Sequence, residues 1–316
     1  MNTLNRFLLI SKVVFALAVI ASTAAPLYAF QKSGGTTGDG APFTGIYAFG
    51  DSLSDTGNFF RLTGQPGAPY FEGRISNGVV WLEYLAQSME LNPDSVVNYS
   101  YAGATTGREN ENDIPGFVEF PGLQDELDFF EADLNGKKAD KRALYIVWAG
   151  ANDVFVSGPS EGTIATGVGN TVIAVQRLYQ SGARRILVLN MPDLGLTPFG
   201  RSVNPVGLSF FTSAYNAALN SALDQMAAQG IETIRVDSAG VLRDIVASPS
   251  DFGFSNVQDA YLPSFFGADP SEFLFWDSVH PTTDGHRFIA EEAFSILRHR
   301  FRHTWGTPRG FFARRN

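Results

Sequence analysis

Residues Tyr47 to Asn58 read YAFGDSLSDTGN, an apolar run that stops at Gly50 and passes through Asp51 and Ser52 into a polar turn. Glycine suits the turn, and Ser or Asp suits the cap of a following helix, so the stretch predicts a strand-to-helix junction. Ser52 then has two local readings. It is either a nucleophile held at a strand end or the polar cap of the next helix, and the choice depends on what the rest of the chain brings beside it.

Four runs dense in β-branched and aliphatic residues read as buried strands: GIYAFG (45–50), VVNYS (96–100), ALYIVWAG (143–150) and RILVLNMP (185–192). A fifth, IETIRV (231–236), is weaker. Helical spacing runs through VVWLEYLAQSM (79–89), LQDELDFFEADL (123–134), IATGVGNTVIAVQRLYQSG (164–182), FFTSAYNAALNSALDQMAAQG (210–230) and DGHRFIAEEAFSILRHR (284–300). Gly182 and Gly230 stand where helix C-caps are expected. Strands alternating with helices predict an α/β fold, a three-layer α/β/α sandwich around a central parallel sheet. Ligands of such sheets sit in the crevice beyond the carboxyl ends of the strands.

The chain opens MNTLNRFLLISKVVFALAVIASTAAPLYAF, in which Arg6 and Lys12 precede the apolar run Val13 to Ala21 and then small residues. That layout predicts a secretory signal peptide over 1–29, cleaved after Ala25 or Ala29, and hence an exported protein, periplasmic or extracellular. An uncleaved anchor is the alternative, although the run is short for a bilayer span. The following QKSGGTTGDGAPFTG reads as a flexible leader (30–44), with folding from near Gly45. About 270 residues then remain, enough for one domain (45–300), and no internal repeat divides them. A basic tail (301–316) closes the chain.

There is no cysteine, which excludes disulfides, a thiol nucleophile and cysteine metal sites. The body, residues 30–297, holds 15 Lys and Arg against 32 Asp and Glu, a net −17. Such a surface repels nucleic acid and anionic membranes, so no nucleic-acid partner is expected. The last nineteen residues hold six arginines and no acid. They could make a weak contact with an acidic membrane surface or fold back on the acidic body.

Polar residues collect at the predicted strand ends. Asp51 and Ser52 follow the first strand, Gly103 lies in NYSYAGATTG after the second, and Asn152 and Asp153 follow the third. FWDSVHPTTDGH adds Asp277 and His280. Acyl transfer needs this set: a nucleophile, a base, an acid to orient the base, and donors for an oxyanion. Residues three apart on one turn share a side, so Asp277 can hold the Nδ1–H of His280 and leave Nε2 for Ser52. Taken singly, Asn152 could be a turn residue and the Asp–His pair a surface turn. Their joint order behind successive strands favours catalysis.

These blocks resemble those of the SGNH/GDSL hydrolase family, with FGDSLSDTGN matching the Ser block, NYSYAGATTG the Gly block, GAND the Asn block and FWDSVHPT the Asp–His block. The segment GAPYFEGRISNGVVWLEYLA (67–86) resembles the family's link between the first two, and with FWDSVHPT is most similar to the secreted lipase, phospholipase and hemolysin-like branch. The resemblance covers nearly the whole mature chain. It implies a serine esterase or lipase acting on a small-molecule ester or lipid, with no cofactor and no metal. By it, Ser52 is the nucleophile, His280 the base and Asp277 its orienting partner. The amides of Ser52 and Gly103 and the Asn152 side chain form the oxyanion hole, and Asp51 and Asp153 support them. Acyl transfer to an alcohol and deacetylation of polysaccharides remain alternatives on the same fold. Relatives often carry a cysteine pair within residues 253–277; this chain lacks it.

Other readings compete. GPSEG (158–162) fits a G-x-S-x-G elbow around Ser160, but Pro159 occupies the strained turn, and a helix N-cap followed by Glu161 explains it better. His280, His286, Asp277 and Asp284 form a poor metal set without HExxH, and His286 is expected on a helix face. An exported binding module, such as an autotransporter passenger, would be followed by barrel strands that the sequence lacks. Phenylalanines crowd FGFSN, LPSFFG and FLFW over 252–276, either as an acyl pocket or as ordinary core.

Overall fold

The computed structural model describes residues 42–262 and 267–302. Five strands, β1 (Ile46–Gly50), β2 (Val96–Asn98), β3 (Leu144–Trp148), β4 (Ile186–Leu189) and β5 (Thr233–Val236), form one sheet in the order β2-β1-β3-β4-β5, every pair parallel. The helices are α1 (Asn58–Thr63), α2 (Trp81–Ser88), α3 (Leu123–Leu134), α4 (Ala151–Ser157), α5 (Glu161–Ser181), α6 (Pro198–Val203), α7 (Pro205–Ala228), α8 (Ser238–Ala247) and α9 (Thr283–Arg300). A separate parallel pair, β6 (Asn256–Ala260) and β7 (Phe273–Phe275), stands before the last helix.

Side chains alternate across a strand, and here the alternation divides the core in two. Phe49, Tyr145, Val147, Ile186 and Val188 pack on one face with α3, α5 and α7. Ile46, Ala48, Ile146, Leu187 and Val236 pack on the other with α2 and α9. Both faces are covered, which is why β3 is buried at every position and reads as a continuous apolar run. The apolar stripe of α9, Ile289, Ala290, Ala293 and Leu297, lies against α2. Each fully buried leucine there contributes roughly 1.5–3 kcal/mol relative to exposure.

The chain leaves β1 for β2 on one side and returns to β3 on the other, with Gly50 in register with Trp148. A crevice therefore opens beyond these two strand ends. Ser52 and Asn152 both follow into it.

All five expected strands and all five expected helices are present, α3 with the expected bounds. Gly182 caps α5, and Gly230 follows the C-cap of α7, Gln229. Sequence periodicity did not predict α1, α4, α6, α8 or the β6–β7 pair, because segments of three to ten residues hold too few turns to display a period. The phenylalanine-rich stretch is largely core: Phe252 and Phe254 pack on Phe288, and Phe273 on Tyr261, whereas Phe275 lines the crevice. Phe265 and Phe266 lie outside the described residues.

The ends of the described chain meet. Phe43 is buried edge-on against Phe301 with their centroids 5.0 Å apart, and Arg300 pairs with Glu232 at 2.8 Å. Phe301, the first residue of the tail, thus packs against Phe43 and beneath the Arg185 guanidinium. The expected signal peptide, most of the leader and residues 303–316 lie outside the described residues. No helix among the described residues is long and apolar enough to cross a membrane.

Candidate active site

Gly50 sits at φ 151°, where a side chain would collide with the Trp148 carbonyl, so the strand pair closes tightly and the turn begins at once. The α1 amides are then collected by Asp55. Its carboxylate accepts from Gly57 (2.7 Å), Asn58 (2.6 Å) and Phe59 (3.0 Å), and reaches Ala102 in the next block at 2.9 Å. With the cap supplied by Asp55, the Ser52 hydroxyl is left for another partner. It lies 2.8 Å from Nε2 of His280.

His280 Nδ1 is 2.9 Å from both carboxylate oxygens of Asp277. The two residues sit in a bend rather than on a helix. The Val279 and His280 amides donate to Asp277 Oδ1 at 2.9 and 2.8 Å, and the Tyr70 hydroxyl donates to Oδ2 at 3.0 Å. Burial acts to raise the Asp277 pKa, yet the imidazole and these amides outweigh it and hold the carboxyl below its usual range. Burial acts to lower that of His280, and the Asp277 charge outweighs it, so the imidazole sits above its usual value.

Gly103 lies at φ 84°, wedged against Asn110 and Asn112 where any Cβ would collide. Asn152, in the first turn of α4, donates through Nδ2 to the Ala104 carbonyl at 3.0 Å, which leaves its second N–H free of that bond. Neither the Ser52 nor the Gly103 amide has an acceptor among the described residues. Asp153 takes the Thr106 amide at 2.9 Å and its hydroxyl at 2.5 Å, tying α4 to the Gly103 block. Asp51 accepts from the Leu53 amide at 3.0 Å, and burial pushes its pKa up to about 7. Glu126, fully buried, holds the Gly50 and Tyr101 amides at 2.7 and 3.1 Å. Ser52, Gly103, Asn152, Asp277 and His280 all line one cleft of about 790 Å³.

The profile of the GDSL-like lipase/acylhydrolase family matches residues 46–293, from β1 into α9. The chain belongs to this family. A GDSL lipase/acylhydrolase is an enzyme of carboxylic esters, and the present chain is one by that membership. It is 31% identical over 313 residues to the phosphatidylcholine-sterol acyltransferase of Aeromonas hydrophila, covering 81% of this chain and 90% of that one. It is 25% identical over 273 residues to the thermolabile hemolysin of Vibrio parahaemolyticus, covering 78% and 62%, and 29% identical over 309 residues to esterase EstA of Pseudomonas aeruginosa, covering 81% and 47%. The chain thus spans most of the Aeromonas relative and about half of the Pseudomonas one.

Around the GDSL serine the cleft walls are mainly apolar: Phe59, Ile75 and Phe120 on one side, Leu242, Ile245 and Phe275 on another. Ser160 lies away from the cleft and caps α5, its Oγ accepting from the Thr163 amide at 3.1 Å. His286 is buried in α9 with neither ring nitrogen bonded among the described residues, and burial drives its pKa down to about 3. No group of three or more His, Cys, Asp or Glu among the described residues is placed to hold a metal. Sequence spacing missed Tyr70, Asp55 and Glu126. Of these only Asp55, two residues before Gly57 in SDTGN, carries a local signal, that of a side chain turning back on its own backbone.

Proposed function

We propose that the protein is an exported serine esterase or lipase that cleaves esters through an acyl-Ser52 intermediate. The observation that carries this reading is the line from Ser52 Oγ through His280 to Asp277 at 2.8 and 2.9 Å. Ser52 Oγ attacks the ester carbonyl while Nε2 of His280 takes its proton. The oxyanion is received by the Ser52 and Gly103 amides and the Asn152 side chain, and Asp277 steadies the imidazolium. Collapse returns the proton from His280 to the leaving alkoxide; water then enters by the reverse route and frees the acid. Asp51 and Asp153 support the loops that carry Ser52 and Gly103.

Asn152→Ala is expected to lower kcat by about 10²–10³ with little change in KM, because an oxyanion donor acts on the transition state. Steady-state kinetics read the split, and an effect confined to KM would move Asn152 to substrate binding.

The apolar cleft favours lipid acyl chains over acetylated sugars. Transfer to an alcohol is the second reading, favoured by likeness to an acyltransferase over 90% of its length. Export rests on the N-terminal segment, and likeness to a hemolysin agrees with it. The proposed layout keeps a signal peptide at 1–29, a leader at 30–44, the hydrolase domain at 45–300 and the tail beyond. p-Nitrophenyl esters of about two to sixteen carbons, assayed with and without an alcohol acceptor, test the substrate reading. An optimum at eight carbons or more is expected, and one at acetate would contradict it.

A further inference from the structure

Asp277 Oδ1 is fixed locally, by the amides of its own bend, but Oδ2 is not. Apart from the His280 ring, the donor to Oδ2 among the described residues is the Tyr70 hydroxyl, 207 residues away in sequence. Tyr70 is seated against an aromatic pair. Its ring stands edge-on to Trp276 at 6.2 Å, and Trp276 stacks on Tyr261 at 5.0 Å. Trp276 immediately precedes Asp277, and its amide donates to the His280 carbonyl at 2.8 Å. Tyr70 also lines the cleft beside Gln65, Pro66 and Ala68.

We propose that Tyr70 is a positioning residue for the triad, fixing the rotation of the Asp277 carboxylate and tying the cleft wall to the base. This rests on the triad reading above. A phenol donates one hydrogen bond and stays neutral here, since burial and the Asp277 charge both raise its pKa. By drawing on the carboxylate it tempers the pull of Asp277 on a protonated His280. Without it the pair holds its proton more tightly. The other groups that act on His280, namely Asp51, Glu111 and His286, are unchanged by removing one hydroxyl.

The test compares Tyr70→Phe, Asp277→Asn and the double variant, with kcat and KM for a p-nitrophenyl ester from about pH 5 to about pH 9 and a thermal unfolding midpoint for each. In the parent the acid limb should lie above the ordinary imidazole value of about 6.5, because a base with a raised pKa is protonated at higher pH. Tyr70→Phe, which keeps the ring contact with Trp276, should lower kcat about ten-fold, leave KM within about two-fold and move the acid limb up by about half a unit. In the Asp277→Asn background the same change should alter kcat less than about two-fold. An equal loss in both backgrounds, or a lower midpoint with an unmoved limb, would overturn the proposal. Full activity in Asp277→Asn would instead overturn the triad reading itself.

Discussion

Replacing Ser52 with alanine is expected to lower kcat by on the order of 10⁴-fold or more, with the fold and KM little changed. The hydroxyl caps no helix, since Asp55 takes the α1 amides, and its bond is to His280. On the proposed mechanism, removing it therefore deletes the reacting atom and little else. What would remain is the cleft and the proposed oxyanion donors, which alone leave only residual catalysis. Saturation kinetics on a p-nitrophenyl ester, with thermal unfolding as the control, measure this; a loss under ten-fold would mean that another nucleophile does the work.

Asp277→Asn is expected to lower kcat by on the order of 10³–10⁴-fold. Both carboxylate oxygens lie 2.9 Å from Nδ1, in a partly buried bend. Asparagine keeps the shape and one acceptor but removes the charge that, on the proposed mechanism, supports the imidazolium as Ser52 gives up its proton. At a partly buried pair that charge is screened less than it would be in bulk water. The acid limb should also fall, since the raised pKa of His280 depends on Asp277. A variant with unchanged pH profile and rate would place the base elsewhere.

The sheet and the Ser, Gly and Asn blocks were legible in the sequence because each block lies within a few residues of a strand that periodicity reveals, and the Asp–His block was legible through its own three-residue spacing. Ser52 follows Gly50, Asn152 follows Gly150, and Asp277 and His280 share one bend. The elements that complete the site were not legible, for two physical reasons. Helices α1 and α4 are too short to repeat a pattern, although α4 carries Asn152. The contacts of Tyr70 with Asp277 and of Glu126 with Gly50 join residues 207 and 76 positions apart, and only the folded sheet brings them together. Local spacing also suggested a helical turn for Asp277 and His280, where the carboxylate instead caps two amides of a bend.

Whether Ser52 is the nucleophile is tested most directly by treating the protein with a p-nitrophenyl alkylphosphonate and locating the adduct by peptide mass spectrometry. One phosphonyl group on the peptide bearing Ser52, lost in Ser52→Ala and formed far more slowly in Asp277→Asn, is the predicted result. An adduct on Ser160 or another residue, or equal labelling of Ser52→Ala, would contradict it.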